Sequence, residues 1–167
     1  MMFFAQPYFE APPSTRIEFV DSTPGSGQDA NYLERIVRQK DSTVPVADRN
    51  SEVINALLDA YSSCRNRGWD GYDAEPVSRN SLEAAYRLAD RIPYHVSLPE
   101  IGAEPDGNLT MEWYTSPSQL LNLSISSNGK LHYAAIFADG SSHYGTENGL
   151  SGFPFILKVL IEKVMER

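Results

Sequence analysis

Residues 67–93 read RGWDGYDAEPVSRNSLEAAYRLADRIP and open on a cluster of groups able to do chemistry. Trp69, Asp70, Tyr72, Asp73 and Glu75 fall within one short stretch. Three carboxylates so close can bind a cation, serve as acid or base, or accept backbone N–H groups. Their spacing misses that of a calcium loop, which needs oxygen ligands at alternate positions and a glycine at the sixth. No histidine lies nearby to build a mixed site. The structural alternative uses the same residues as a corner: Gly68 ends a helix and Gly71 permits an unusual dihedral. Trp69 and Tyr72 then pin the corner to the core, Asp70 accepts exposed N–H groups, and Pro76 stiffens the exit.

A second acidic group lies in PEIGAEPDGNLTMEWY, where Glu104, Asp106 and Glu112 are close in sequence. Asp106-Gly107 suits a tight turn that launches a strand. Glu112 alternates with Leu109, Met111 and Trp113, so it is a buried carboxylate if both sheet faces are covered and a solvated one if one face is open. His132 and His143 fall on neighbouring strand segments. With Glu112 they make a possible facial triad for a metal, with Asp70 or Glu104 as base; the alternative is two polar residues on an open face. Cys64 lies on the apolar side of a helix, as a core thiol does. There is no glycine-rich phosphate loop after a strand and no GxSxG elbow.

The elements that must position these residues follow from periodicity. Val53, Ile54, Leu57, Leu58, Tyr61 and Cys64 recur at helical spacing, with Asn50 or Ser51 as cap and Gly68 as stop. Leu82, Ala85, Tyr86, Ala89 and Ile92 predict a second helix, capped by Ser78 or Ser81 and stopped by Pro93, with a Glu83–Arg87 pair on its outer face. Strands follow: NLTMEWYT, QLLNLSIS, LHYAAIF and SSHYGTE, with Asn128-Gly129 and Asp139-Gly140 as hairpin turns. A last helix begins near Pro154. The expected fold is therefore α+β: two helices, a four-stranded antiparallel meander and a C-terminal helix in a two-layer sandwich. Residues 50–167 form this domain. Residues 1–49, rich in breakers, read as a loosely ordered arm in which only TRIEFV and NYLERIVRQK have regular patterning.

Composition narrows the partners. Of 167 residues, 22 are acidic and 14 basic, a formal charge of -8. That balance disfavours nucleic acid and anionic membranes and suits a basic protein partner. Basic residues are scattered, without an arginine-rich face interleaved with aromatics. A single cysteine leaves no intramolecular disulfide and fits a reducing, cytoplasmic setting. The N-terminus lacks a basic n-region, and no apolar run reaches the roughly 20 residues of a membrane span.

The segments GWDGYDAEPVS, PEIGAEPDGNLTMEW, LHYAAIF and YGTENGLSGFP together resemble a family of small uncharacterised bacterial proteins. That family shows a Gly-Trp-Asp-Gly-Tyr-x-Ala-x-Pro corner, a Pro-Asp-Gly turn before a Glu-Trp strand, a Tyr-Ala strand and a Gly-Thr-Glu segment. Here these fall on residues 68–76, 105–113, 133–134 and 145–147, and the likeness covers about residues 50–165. Asp73 occupies a position the family gives to a small residue. The resemblance implies no catalytic assignment. It pairs aromatics with turn-forming acids: Trp69 with Asp70, Trp113 with Glu112, Tyr144 with Glu147.

Two functions compete on this reading. One is a non-enzymatic interaction module without a cofactor, bound to another protein in a bacterial regulatory, toxin–antitoxin or defence system. Its binding residues would come from Trp69, Asp70, Tyr72, Asp106, Glu112 and Trp113. The other is a metal-dependent hydrolase or nuclease built on Glu112, His132 and His143, with Asp70 or Glu104 as base.

Overall fold

The computed structural model describes residues 50–166, with Leu150 described by its backbone alone. The expected arm over residues 1–49 lies outside the described residues. Helix α1 (Ser51–Ser63) buries Val53, Ile54, Leu57 and Leu58. Asn50 precedes it without a side-chain cap, and the helix ends at Cys64, four residues before Gly68. Helix α2 (Arg79–Ala89) starts where Ser78 Oγ accepts the Ser81 N–H at 3.0 Å. That bond satisfies one of the first-turn donors that a helix leaves unpaired. Glu83 and Arg87 pair on its outer face.

Among the described residues the sheet has five strands, not four: β1 (Glu100–Ala103), β2 (Leu109–Ser116), β3 (Gln119–Ile125), β4 (Lys130–Ile136) and β5 (Ser142–Asn148). All pairings are antiparallel and the spatial order is the chain order. The extra strand is EIGA. It is four residues long, contains a glycine and shows no alternation, so nothing in its own pattern marks it. It is a strand because the turn at 104–108 folds it back onto β2, with Ile101 opposite Met111. Gly102 also lets it lie close, since a Cβ there would stand 2.8 Å from Thr110 Oγ1.

Alternation assigns the two faces. Leu109, Met111, Trp113, Leu121, Leu123, Ile125, Leu131, Tyr133 and Ala135 are buried on one face. Helices α2 and α3 (Phe155–Met165) lie against β2 and β3 there, while α1 packs on α2 and β1. The C-terminal end of α3 is fastened to the sheet: Thr115 Oγ1 donates to the Val164 carbonyl at 2.9 Å, and Gln119 Nε2 to the Glu166 carbonyl at 2.8 Å. These bonds supply partners for carbonyls that a helix end leaves open. The architecture is α+β with helices on one face. No helix among the described residues is long and apolar enough to cross a membrane.

Candidate functional site

The acidic corner is built as a closed unit. Asp70 Oδ1 accepts the N–H of Tyr72 at 2.8 Å and that of Ala74 at 3.3 Å. The Gly68 N–H donates to the Ala74 carbonyl at 2.8 Å, and Gly71 N–H to the Gly68 carbonyl at 2.9 Å. Gly68 has φ +73° and Gly71 φ +84°, values that disfavour a side chain. Asp70 is thus an acceptor for loop backbone, and the oxygen that carries those bonds points inward to the turn.

The aromatic residues do not behave as expected. Trp69 is only half-buried, and its Nε1 donates to the Glu75 carbonyl at 3.0 Å, within the same loop. Tyr72 is 85 % exposed. Neither pins the corner to the core. Ala74 and Val77, at 2 % and 3 % exposure, do that instead. A tryptophan can spend its polar edge on a nearby carbonyl and leave one ring face in solvent, whereas a small residue on the inward side fits the sharp turn. Glu75 extends outward to Arg67, with 2.8 Å between Oε1 and Nη2, and Asp73 is exposed.

The corner docks on the β1–β2 turn. Glu75 N–H donates to the Pro105 carbonyl at 2.7 Å and Ser78 N–H to the Gly107 carbonyl at 3.4 Å. Gly107 has φ +85°, and a Cβ there would lie 2.7 Å from the Pro76 carbonyl oxygen. Asp106 stabilises the turn by accepting from Asn108 N–H at 3.2 Å and Asn108 Nδ2 at 2.8 Å. The GWDGYDAEP and PDG segments are two halves of one backbone joint. Trp113 is 1 % exposed in the core, with Nε1 donating to the Ser97 carbonyl at 2.7 Å, so no partner reaches it.

The remaining candidates lie on the sheet, where register decides what meets. His132 stands opposite Thr146, and its Nδ1 is 3.0 Å from Thr146 Oγ1. His143 stands opposite Ala135. Side chains alternate faces along a strand, so His143 shares the helix-covered side with Ala135 while His132 occupies the open one. His143 stacks on Tyr133, centroids 5.8 Å apart and planes 7° apart. Glu112 shares the open face with His132, but β3 runs between them and His132 lies two residues further along β4, a separation of about 12 Å from two strand spacings and two residue rises. The three residues therefore do not assemble as a facial triad. Among the described residues no three of His, Cys, Asp and Glu are placed to hold a metal ion. Glu104 Oε2 accepts from Ser124 Oγ at 2.6 Å, at one end of the open face. Cys64 is buried, and that burial pushes its thiol up from the ordinary value.

The open face carries the surface that sequence patterning missed. One row runs Glu100, Glu112, Asn122, Ala134, Tyr144 across the five strands, and the next runs Tyr114, Leu120, Ile136, Ser142. Tyr144 is 81 % exposed, Tyr114 50 % and Ile136 40 %. Glu100 and Glu112 are cross-strand partners of like charge, an unfavourable arrangement. Among the described residues no Lys, Arg or His forms an ion pair with either. The available signal was the alternation of KLHYAAI, which leaves His132, Ala134 and Ile136 opposite the buried set; the Glu100–Glu112 pairing needed β1.

Among the described residues, the fold and this surface define an α+β domain whose antiparallel sheet has one face covered by helices and one open. No family model, curated protein or solved structure matches the chain.

Proposed function

We propose that the protein is a non-enzymatic interaction module whose open sheet face takes a basic, partly apolar segment of another protein. The observation that carries this reading is the Glu100–Glu112 pair, two carboxylates facing each other with no cation paired to them among the described residues and bordered by exposed Tyr114, Ile136 and Tyr144. A Lys or Arg from a partner relieves the like-charge repulsion, and the aromatic and aliphatic side chains supply apolar contact around it. The acidic formal charge of -8 supports the same choice by steering a basic partner toward the domain. On this reading the segments that resemble the small bacterial protein family are the frame of the fold: Asp70 and Asp106 are spent on loop backbone.

The test uses the full chain as bait in lysate of its own host, as wild type and as the Glu100→Lys/Glu112→Lys double variant. The expected result is a stoichiometric protein held by the wild type and lost by the double variant, with equal melting temperatures for the two baits. A partner held equally by both, or no stoichiometric partner, refutes the reading.

A further inference from the structure

The exposed edge of β5 points to a second copy of this chain. The β4–β5 register, with the Phe137 N–H bonded to the Ser141 carbonyl and the Gly149 N–H to the Gly129 carbonyl, places residues 143, 145 and 147 in the hydrogen-bonded positions toward β4. Tyr144 and Thr146 therefore turn their backbone N–H and C=O outward. An edge of this kind is ordinarily blunted by proline, lysine, a bulge or brevity. β5 has none of these: its sequence is SHYGTEN, seven residues long, and its register against β4 is unbroken. The opposite edge, β1, has four residues and carries Glu100, so self-pairing there sets acids beside acids.

We infer that two copies join through β5 in antiparallel register about Gly145, extending the two sheets into one of ten strands. Every register whose two-fold axis falls on a residue of β5 keeps outward backbone groups facing each other. Only the one at Gly145 sets His143 opposite Glu147 of the second copy, twice, in close non-hydrogen-bonded pairs. It also sets Tyr144 opposite Thr146, an aromatic and β-branched pair of the kind that stabilises sheets. Gly145 meets Gly145 at the axis, where no side chain obstructs. A cleft of about 350 Å³ beside Glu147, bordered by Ser151, Phe153 and Phe155, leaves room for the incoming His143 ring. β5 carries one carboxylate in seven residues, Glu147, and the nearby Asp139 has Lys163 at 3.6 Å. The dimer does not depend on the partner proposed for the open face, which it leaves uncovered.

Sedimentation equilibrium on the full chain tests the inference. The wild type is expected to dimerise. Thr146→Pro removes an outward N–H and no backbone bond to β4, although it also removes the Thr146 Oγ1–His132 Nδ1 contact, and is expected to raise Kd by about tenfold or more. His143→Glu replaces two attractive contacts with two repulsive ones, with an expected loss of similar size. Combining His143→Glu with Glu147→Lys sets a Glu opposite a Lys at the same two positions and is expected to restore dimerisation; this swap distinguishes a lost contact from a damaged fold. Melting curves of each variant accompany the measurement. A wild type that stays monomeric throughout its soluble range overturns the inference. A dimer unaffected by Thr146→Pro and His143→Glu overturns it as well.

Discussion

Gly107→Ala perturbs the joint between the acidic corner and the sheet, and its effect can be worked from the geometry. The backbone contribution comes first. Gly107 has φ +85°, and an L-residue in that region costs about 1–2 kcal/mol, offset in part by a smaller unfolded-state entropy. Gly140 offers the control: φ +77°, with nothing within 4 Å of a built Cβ, so Gly140→Ala carries the backbone contribution alone, about 1 kcal/mol net. At Gly107 the new methyl would sit 2.7 Å from the Pro76 carbonyl oxygen, which is backbone and cannot rotate away. The corner must retreat, loosening the Glu75 N–Pro105 O bond of 2.7 Å and the Ser78 N–Gly107 O bond of 3.4 Å. At about 1 kcal/mol net for each bond, Gly107→Ala should lose about 2–3 kcal/mol in total. Urea unfolding reads both variants as shifts in midpoint at constant m. The expected result is that Gly107→Ala exceeds Gly140→Ala by about 1–2 kcal/mol. Equal losses, within about 0.5 kcal/mol, would show that the corner and the turn do not bear on each other and would refute the joint.

Asp70→Ala should destabilise by about 1–2 kcal/mol, because two N–H groups lose a charged acceptor; a melting temperature unchanged from wild type would return Asp70 to the list of free reactive groups. Trp113→Ala should cost about 3–5 kcal/mol and Trp69→Ala less than half of that, since only the first is fully buried; calorimetric melts that reverse this order refute the assignment. Hydrogen bonds from Ser141, and then Lys163, hold the Asp139 carboxyl below its ordinary value of 3.8. A carboxyl lowered on folding stabilises the native state above the unfolded pKa and ceases to do so as pH falls through the folded one. Asp139→Asn should therefore melt below wild type at neutral pH and converge with it under strongly acid conditions, and a gap that widens with acid contradicts the assignment.

The helices and β2 to β4 were legible because their apolar residues recur at a fixed period and cover one face each, and β5 from the Asp139-Gly140 turn before it. β1 was not, because Glu100–Ala103 is a strand only by virtue of the turn behind it. Asp70's role was legible from local chemistry, a short carboxylate between two glycines. Trp69 misled because a large aromatic reads as buried, while burial depends on whether the chain turns it inward, and here its indole N–H is satisfied within the loop. The histidines misled for a different reason. His132 and His143 lie on adjacent strands, but a one-residue difference in parity sends a side chain to the opposite face, and parity follows from register alone.

The chain-order sheet also shapes how the molecule comes together. Every strand pairs with its neighbour in sequence, so each pairing closes a short loop, and hairpins of this type form in about 1–10 μs. The entropy of closing long loops falls on the helices instead. α1 and α2 precede the meander, α3 follows it, and all must reach the same face. The sheet can therefore assemble by successive local closures. The barrier belongs to the collapse of helices from both ends onto its apolar side, so core substitutions in α3 should slow folding more than substitutions in the β4–β5 turn.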